Sequence, residues 1–253
     1  MRIYSAALAA CGVVALSALA VPAAHADETF GDTDITGVVV NSGDPVVLGT
    51  SARTVTVKVT ATDPSGFEQI NATLYHGSYT SQDSTVPATA ACGPTTAATS
   101  TCTLTFTLTP GSAPADGSLA GAWSVSAYAI AADGDAEFLE KAAGFDLRRD
   151  THVGVDAPDR VKWGRTLTVT GGVQNADWAT GTYAAAAAGR PVQLQFRLKG
   201  CTTYTTLKTV NTAADGTVSA TVRAFADGDY RWSYAGTPDT APAVSKAEFV
   251  DVR

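Results

Sequence analysis

The sequence is poor in the residues on which most hydrolases and metal enzymes depend. Its 253 residues include three histidines, four cysteines and one methionine. Only His76 and His152 lie beyond residue 26, and no GxSxG pattern occurs. Nucleophilic catalysis requires a base beside the nucleophile, and both histidines are expected to be solvated surface residues. The sequence therefore disfavours a histidine-dependent hydrolase, and we expect neither enzyme activity nor a cofactor.

Long apolar runs are also absent after residue 26. The first 26 residues combine Arg2, an apolar stretch and a closing Ala24-His25-Ala26, which predicts a secretory signal peptide cleaved after Ala26. An alternative is lipidation at Cys11, which ends the lipoprotein-like box "LAAC". The apolar stretch continues well beyond Cys11, so cleavage after Ala26 is favoured. We expect a secreted, extracellular protein rather than an integral membrane protein.

Basic residues are scarce in one half of the chain. Residues 27–148 contain 4 basic and 14 acidic residues, whereas residues 149–253 contain 12 basic and 10 acidic residues. This asymmetry indicates two units with different surfaces. We predict an acidic β-sandwich domain at 27–148 and a second domain at 149–253. An acidic first half and a mildly charged second half argue against a nucleic-acid partner.

Three cysteines remain after the predicted signal peptide. Cys92 and Cys102 bracket a turn-rich segment, and an exported protein can form a disulfide between them. Zinc is the alternative, but neither a histidine nor a third cysteine lies at ligand spacing. Cys201 is left over, and it is either a buried small residue or a free thiol able to link two chains in a dimer.

Sustained helical patterns are nearly absent, whereas strand patterns recur. Apolar and polar residues alternate over seven segments separated by turns rich in Gly, Pro and Asp. Such spacing is typical of antiparallel sandwiches. We predict an all-β protein made of two tandem immunoglobulin-like antiparallel β-sandwiches. The seven segments are 53–61, 69–76, 102–109, 123–131, 165–173, 191–199 and 217–225.

Two further segments are ambiguous. Residues 133–145, "DGDAEFLEKAAGF", contain good helix formers, but the Asp-Gly pair that precedes them favours a hairpin and therefore a strand. Residues 174–189 lack alternation, which predicts a mobile loop or one helical turn within the alanine run.

The second half contains the chained motifs "GRTLTVTG", "AGRPVQLQFRLKG", "YTTLKTVNTAADGTVSATVRA" and "DYRWSYAGTPDTAPAVSKAEFVDVR". In this order they resemble the immunoglobulin-like modules repeated in secreted actinobacterial proteins. The first half, through its cysteine pair and "LAGAWSVSAYAIAADGDAEF", is similar to secreted actinobacterial domains of unknown function. The resemblance implies sandwich folds with an accessory, often non-catalytic role and no catalytic residues to transfer. Those modules commonly have a small residue where this chain has Cys201.

The tetrapeptide Ala-Asp-Gly-Asp occurs twice, ending at Asp135 and at Asp229. Asp133, Asp135 and Glu137 alternate and offer oxygen ligands to calcium, although neither copy has the glycine and glutamate of a helix-loop-helix calcium loop. A looser calcium site would add acids such as Asp150 or Asp156. The simpler interpretation is a hairpin turn at each Asp-Gly pair.

The remaining candidates are carboxylate pairs and aromatic side chains. Asp133 with Glu137, and Asp63 with Glu68, are the pairs to consider for glycoside hydrolysis, but their spacing does not place either pair across a cleft. Trp178 and Tyr183 lie in the irregular segment and are possible ligand contacts, with packing over the end of a sandwich as the alternative. The other tryptophans of the two halves, Trp123, Trp163 and Trp232, are expected in the core.

The sequence thus favours a secreted, non-catalytic binding or structural module of the cell envelope or extracellular space. A calcium-stabilised extracellular module is the first alternative, and a hydrolase with an unrecognised site is the second. Cell-wall glycan and another secreted protein are the candidate partners. No catalytic, cofactor or metal residue is assigned.

Overall fold

The structure, a computed structural model, describes residues 27–253, whose regular secondary structure is almost entirely β-strand. The predicted signal peptide and Cys11 lie outside the described residues. Two short 3-10 turns, Asn41–Gly43 and Gly117–Leu119, are the helical elements of residues 27–253. No helix in that range has the length and apolar composition that a bilayer crossing needs.

The first sandwich consists of two sheets. The smaller has the order β2-β4-β7, and the larger has the order β1-β9-β8-β5-β6, with β3 parallel to β9. Its strands are β1 Glu28–Phe30, β2 Asp34–Val40, β3 Val46–Leu48, β4 Arg53–Thr62, β5 Phe67–Ser78, β6 Ser81–Pro87, β7 Thr99–Leu108, β8 Gly121–Ala131 and β9 Ala136–Arg149.

The second sandwich also consists of two sheets. One has the order β10-β12-β13 with β16 beside β12, and the other has the order β11-β19-β17-β14-β15 with β18 beside β17. Its strands are β10 Thr151–Asp156, β11 Arg160–Val161, β12 Thr166–Asp177, β13 Thr182–Ala185, β14 Pro191–Leu198, β15 Thr205–Asn211, β16 Thr217–Arg223, β17 Gly228–Tyr234, β18 Ala243–Val244 and β19 Glu248–Val252.

The two sandwiches repeat one topology. Each has seven principal strands, which are β2, β4, β5, β6, β7, β8 and β9 in the first sandwich and β10, β12, β14, β15, β16, β17 and β19 in the second. In chain order, the first, second and fifth of these form one sheet, and the third, fourth, sixth and seventh form the other. In each, a short additional strand, β3 or β11, pairs parallel with the last principal strand. This is the arrangement of immunoglobulin-like sandwiches. The predicted all-β, immunoglobulin-like fold is therefore confirmed.

Strict alternation of side chains produces these strands. In β4, Val55, Val57 and Val59 are buried while the threonines between them face solvent. A strand places successive side chains on opposite faces, so this pattern fixes which face packs inward. Each of the seven segments predicted from alternation coincides with one of the strands β4, β5, β7, β8, β12, β14 and β16.

Each sandwich has its own buried core. Phe67, Phe106 and Trp123 are fully buried between the sheets of the first sandwich, and Leu194 and Trp232 are fully buried in the second. The principal strands of the first sandwich end at Arg149, and β10 begins at Thr151. The predicted domain boundary between residues 148 and 149 stays a prediction, to which this division of the strands lends support.

Both ambiguous segments contribute strands to the sheets. The strand prediction for 133–145 is confirmed, because β9 begins at Ala136 and pairs antiparallel with β8. The prediction of a loop or helical turn at 174–189 is wrong. β12 continues to Asp177 and pairs with β13, so the segment forms a hairpin that extends one sheet. Its alanine-rich and polar sequence lacks the apolar alternation of a half-buried strand, which explains the error.

The disulfide between Cys92 and Cys102 is confirmed, with the two Cα atoms 5.9 Å apart. Cys102 is buried in β7, and Cys92 lies in the connection from β6, so the bond ties that connection to the sheet. Cys201 is an exposed free thiol, which excludes the buried alternative for this residue. Its use in a disulfide-linked dimer stays a prediction.

Candidate functional site

Acidic side chains from several turns meet at one end of the first sandwich. Asp32 follows β1, Asp63 follows β4, and Asp133 and Asp135 lie in the turn between β8 and β9. Carboxylate oxygens of Asp32, Asp63 and Asp135 all lie within 4.8 Å of one another. We call this end the acidic pole, and its members are Asp32, Asp34, Asp63, Glu68, Asp133, Asp135 and Glu137.

Asp63 is held in place by hydrogen bonds. It is buried and accepts hydrogen bonds from the Thr33 hydroxyl at 2.6 Å, from the Ser65 hydroxyl at 2.7 Å and from the Ser65 amide at 2.8 Å. The bond from Thr33 is the main reason that the pKa of Asp63 lies below its usual value, and burial opposes it. Asp63 is therefore an anion whose charge organises the turn.

Asp32 lies against that anion. Its pKa is raised, first by desolvation and then by repulsion from Asp63, Asp135 and Asp133. The Asp32 amide donates to Oδ2 of Asp135 at 3.1 Å, which fixes the two turns to each other. A cluster of carboxylate oxygens is the ligand type that calcium prefers. Asp32, Asp63 and Asp135 are the residues that would hold such an ion.

The looser calcium site predicted from the sequence included Asp150 or Asp156, and the structure shows that this set of ligands is wrong. Asp150 lies at the other end of the first sandwich, where it accepts a hydrogen bond from the Tyr183 hydroxyl at 2.6 Å. Asp156 lies in β10 and accepts from the Thr170 hydroxyl at 3.3 Å. Neither joins the acidic pole. Asp32 was absent from the ligands predicted from the sequence. The pairing of β1 with β9 brings it to Asp135, and this pairing is not visible in the local sequence pattern.

The two copies of Ala-Asp-Gly-Asp have different structures. Asp133-Gly134 closes the hairpin between β8 and β9, and Gly134 has a φ of 97°, as the turn interpretation requires. The prediction of a hairpin turn at Asp227-Gly228 is wrong. Gly228 is the first residue of β17, and the chain there crosses from one sheet of the second sandwich to the other. Asp229 pairs with Arg197 at 2.8 Å.

Gly228 has a steric role instead. A Cβ atom built on it would overlap the main-chain oxygen of Arg197 and the ring of Phe196. Asp227 accepts a hydrogen bond from the Val252 amide at 2.9 Å. The second copy therefore fixes β17 between its neighbours β14 and β19, and it contributes no metal ligands to the acidic pole.

Trp178 is not available as a ligand contact. It is 1% exposed and packs into the core of the first sandwich, although the chain places it between β12 and β13 of the second. Its Nε1 donates to the main-chain oxygen of Leu48 at 3.1 Å. Packing over the end of a sandwich, which was the alternative interpretation, is what the structure shows.

Tyr183 lies beside Trp178 at the junction between the sandwiches. Its ring stacks on His152 with centroids 3.7 Å apart, and its hydroxyl donates to Asp150. Desolvation and then the contact with Asp150 raise the pKa of Tyr183 to about 12. One face of the ring is occupied by His152, and Tyr183 also packs against the core of the first sandwich, which makes it part of the junction.

Main-chain hydrogen bonds complete the junction. The Asp150 amide donates to the Leu48 oxygen at 2.9 Å, and the Arg149 amide donates to the Asp239 oxygen at 2.9 Å. The Arg149 oxygen in turn accepts from the Ala241 amide at 2.9 Å. The strand that leaves the first sandwich is thus hydrogen-bonded to the second before β10 begins.

Trp163 contradicts the expectation that it belongs to the core, because it is 67% exposed. It lies in a turn closed by a hydrogen bond from the Arg165 amide to the Lys162 oxygen at 3.0 Å, in which Gly164 has a φ of 72°. Tryptophan at a turn position directly before glycine was the signal that could have identified it. Trp123 and Trp232 are buried, as expected.

The remaining catalytic candidates occupy structural positions. His76 Nδ1 lies 3.0 Å from Asp83. Glu137 accepts hydrogen bonds from the Ile35 amide and the Thr29 hydroxyl, while Glu68 is exposed. The pairs Asp133 with Glu137 and Asp63 with Glu68 both belong to the acidic pole, where Asp63, Asp133 and Glu137 accept hydrogen bonds that fix turns and strand ends.

Comparison with known proteins gives one family match. The model of a family of unknown function, DUF5707, matches residues 45–129, which lie within the first sandwich. No curated protein matches the chain.

Similar solved structures include three N-terminal domains of the highly immunogenic outer capsid protein (Hoc) of bacteriophage RB49, at 11% identity and TM-score 0.34, covering 86% of this chain and 70% of that one. The D0–D1 domain of intimin aligns at 11% identity and TM-score 0.27, covering 85% and 98%. A superoxide reductase (neelaredoxin) from Ignicoccus hospitalis aligns at 19% identity and TM-score 0.30, covering 40% and 82%. At these values none of them bears on the function of this chain.

Proposed function

We propose that this chain is a secreted, non-catalytic structural and binding module of the cell envelope or extracellular space, in which two immunoglobulin-like sandwiches act as one stiff unit. The observation that carries this proposal is the insertion of Trp178 into the core of the first sandwich. A flexible tandem would present its two sandwiches independently. A stiff pair of sandwiches holds the partners that bind at its two ends at a fixed separation.

The contacts of the junction support stiffness. Trp178 crosses the junction and buries its apolar ring in the first core. The main-chain hydrogen bonds of Arg149 and Asp150 hold the connecting segment in one orientation between the two sandwiches. Tyr183, whose ring stacks on His152 of the same sheet, also packs against the core of the first sandwich. Relative motion of the sandwiches would require withdrawing Trp178 from the first core and breaking the main-chain hydrogen bonds together.

The disulfide supports an extracytoplasmic location. Bonds such as that between Cys92 and Cys102 persist in oxidising compartments and are rare in reducing ones. The predicted signal peptide provides a route of export, with Asp27 as the first residue of the exported protein.

Fractionation of producing cells tests this part of the proposal. Mass spectrometry of the culture medium should find the protein with Asp27 at its amino terminus and the Cys92–Cys102 bond formed. Protein retained in the cytoplasm with reduced cysteines would overturn secretion. Protein in the membrane fraction with a lipid on Cys11 would replace it with the tethered alternative.

A calcium-stabilised module is the second candidate function. The specific observation in its favour is the convergence of Asp32, Asp63 and Asp135 within 4.8 Å, where desolvation and then repulsion between the carboxylates raise the pKa of Asp32. A divalent cation would relieve this repulsion, because it offers each carboxylate an opposite charge.

Melting with and without millimolar calcium tests this candidate. Calcium should raise the melting temperature of the wild type by several degrees, and Asp135→Asn should abolish the increase. Asp44→Asn removes an exposed carboxylate outside the cluster and should retain it. A wild type with the same melting temperature in calcium and in chelator would eliminate the candidate.

A further inference from the structure

The end of the second sandwich that lies opposite the junction carries exposed aromatic and basic side chains. Trp163 and Phe225 are 67% and 54% exposed, and their rings contact edge to face with centroids 5.5 Å apart. Lys162, Arg165 and Arg223 surround them and are exposed. We call these five residues the basic pole.

The basic pole is a built surface rather than a loose loop. The Gly164 amide donates to the Ala224 oxygen at 2.7 Å, and the Ala224 amide donates to the Arg165 oxygen at 3.0 Å. Ala224 itself is fully buried, so the two loops that present Trp163 and Phe225 are locked together. Large exposed apolar patches rimmed by charge on soluble proteins mark interaction sites.

The positive charge of the basic pole is not neutralised within the described chain. Among residues 27–253, Lys162, Arg165 and Arg223 take part in none of the ion pairs, whereas the neighbouring Arg253 pairs with Asp251 at 2.7 Å. An anionic partner would therefore meet three available cations beside two aromatic rings.

The acidic pole has the complementary character. None of its seven carboxylates belongs to an ion pair within residues 27–253, and oxygens of three of them, Asp32, Asp63 and Asp135, lie within 4.8 Å of one another. Phe30, which begins the turn leading to Asp32, is 70% exposed. The acidic pole thus also combines uncompensated charge with an exposed aromatic ring.

The two poles lie at opposite ends of the molecule. β9 runs from the acidic pole at Ala136 to the junction at Arg149, and β12 runs from the basic pole at Thr166 to the junction at Asp177. At about 3.3 Å per residue, each pole lies roughly 40 Å from the junction. The stiff junction prevents the poles of one molecule from folding onto each other.

We infer that the basic pole docks on the acidic pole of a second copy of this chain, which gives head-to-tail association. Such a contact is heterologous, so it leaves one free pole of each kind and propagates into open chains. An anionic lipid surface would also attract the basic pole, but it would leave the acidic pole without a partner. In self-association, a single type of contact gives both the basic pole and the acidic pole an oppositely charged partner. This inference extends the proposed structural role. It depends on the stiffness that the proposed function assigns to the pair of sandwiches.

Sedimentation velocity of the purified protein in a Cys201→Ser background tests the inference, since this background removes thiol-linked dimers. Wild type should form oligomers larger than dimers at low salt and dissociate as salt screens the poles. Arg165→Glu with Arg223→Glu, or Asp34→Lys with Asp133→Lys, should each weaken association more than about tenfold, because like charges then face each other. Arg190→Glu with Lys208→Glu is the charge-matched control away from the pole and should still associate.

Mixing provides the sharper result. The two pole variants should be monomeric alone but form a one-to-one complex together, because each retains the pole that the other lacks. Trp163→Ala should weaken wild-type association without lowering the melting temperature. A wild type that is monomeric at low salt, a mixture that fails to form a complex, or binding to phosphatidylglycerol vesicles without self-association would each overturn the inference. Secretion and stiffness are tested by separate measurements, so a failure of the proposed function can be distinguished from a failure of the self-association inference.

Discussion

The indole Nε1 of Trp178 donates a hydrogen bond to the main-chain oxygen of Leu48 at 3.1 Å, and the ring is buried in the core of the sandwich to which Leu48 belongs. The same oxygen accepts a second hydrogen bond from the Asp150 amide at 2.9 Å. One carbonyl thus connects the strand that leaves the first sandwich with a hairpin of the second. The proposed stiffness of the unit depends on this arrangement.

Replacing the buried indole should weaken the first sandwich and its junction with the second. Trp178→Ala is expected to lower the free energy of unfolding by about 3 to 5 kcal/mol, because it leaves a cavity in the first core and removes one of the two hydrogen bonds that the Leu48 oxygen accepts. Chemical denaturation followed by tryptophan fluorescence measures the change. Trp163→Ala removes an exposed ring and should change stability by less than about 0.5 kcal/mol. Equal losses in the two variants would contradict the role given to Trp178.

The junction should weaken at alkaline pH. The pKa of Tyr183 is about 12 in the folded protein, above its ordinary value of 10.0, so the folded state holds the phenolic proton more tightly than the unfolded chain. The contribution of Tyr183 to stability is complete below pH 10 and is lost as pH rises towards 12. Tyr183→Phe should remove this part of the alkaline loss of stability. An identical pH profile in the variant would show that Tyr183 does not carry it.

The disulfide should stabilise the connection between β6 and β7. Replacing Cys92 and Cys102 together by alanine is expected to lower the free energy of unfolding by about 2 to 3 kcal/mol, because the short loop regains its freedom in the unfolded chain. Cys201→Ala is the matched control and should have little effect, since Cys201 is free and exposed. Denaturation curves under non-reducing conditions distinguish the variants.

Gly228 should tolerate no side chain. Gly228→Ala forces a Cβ atom into the Arg197 carbonyl and the Phe196 ring, and we expect a loss of about 1 to 3 kcal/mol. Gly37→Ala is the control, because a Cβ atom there has no neighbour within 4 Å. That variant should match the wild type or gain up to about 1 kcal/mol. A Gly228→Ala protein with wild-type stability would show that β14 and β17 separate easily.

Local pattern was sufficient for the fold and insufficient for the site. The valines of β4 alternate with threonines because one face packs inward, and this period is visible in any short window of sequence. Asp32 and Asp135 are 103 residues apart, and they meet only because β1 pairs with the start of β9. That pairing depends on tertiary structure, which local alternation does not encode.

The tryptophans show the same limit. Trp178 and Trp163 both lie in turns, yet one is 1% exposed and the other 67% exposed. The difference arises because the hairpin of β12 and β13 reaches across to the first sandwich, whereas the turn at Trp163 points away from it. Hydrophobicity alone gives both residues the same expectation of burial.

Small-angle X-ray scattering of the monomeric protein tests the central claim, that the two sandwiches form one stiff unit, most directly. At a salt concentration that prevents self-association, the wild-type profile should fit a single arrangement of the sandwiches, and Trp178→Ala should broaden the distribution of interatomic distances. A wild-type profile that requires an ensemble of widely different arrangements, indistinguishable from that of Trp178→Ala, would contradict the account.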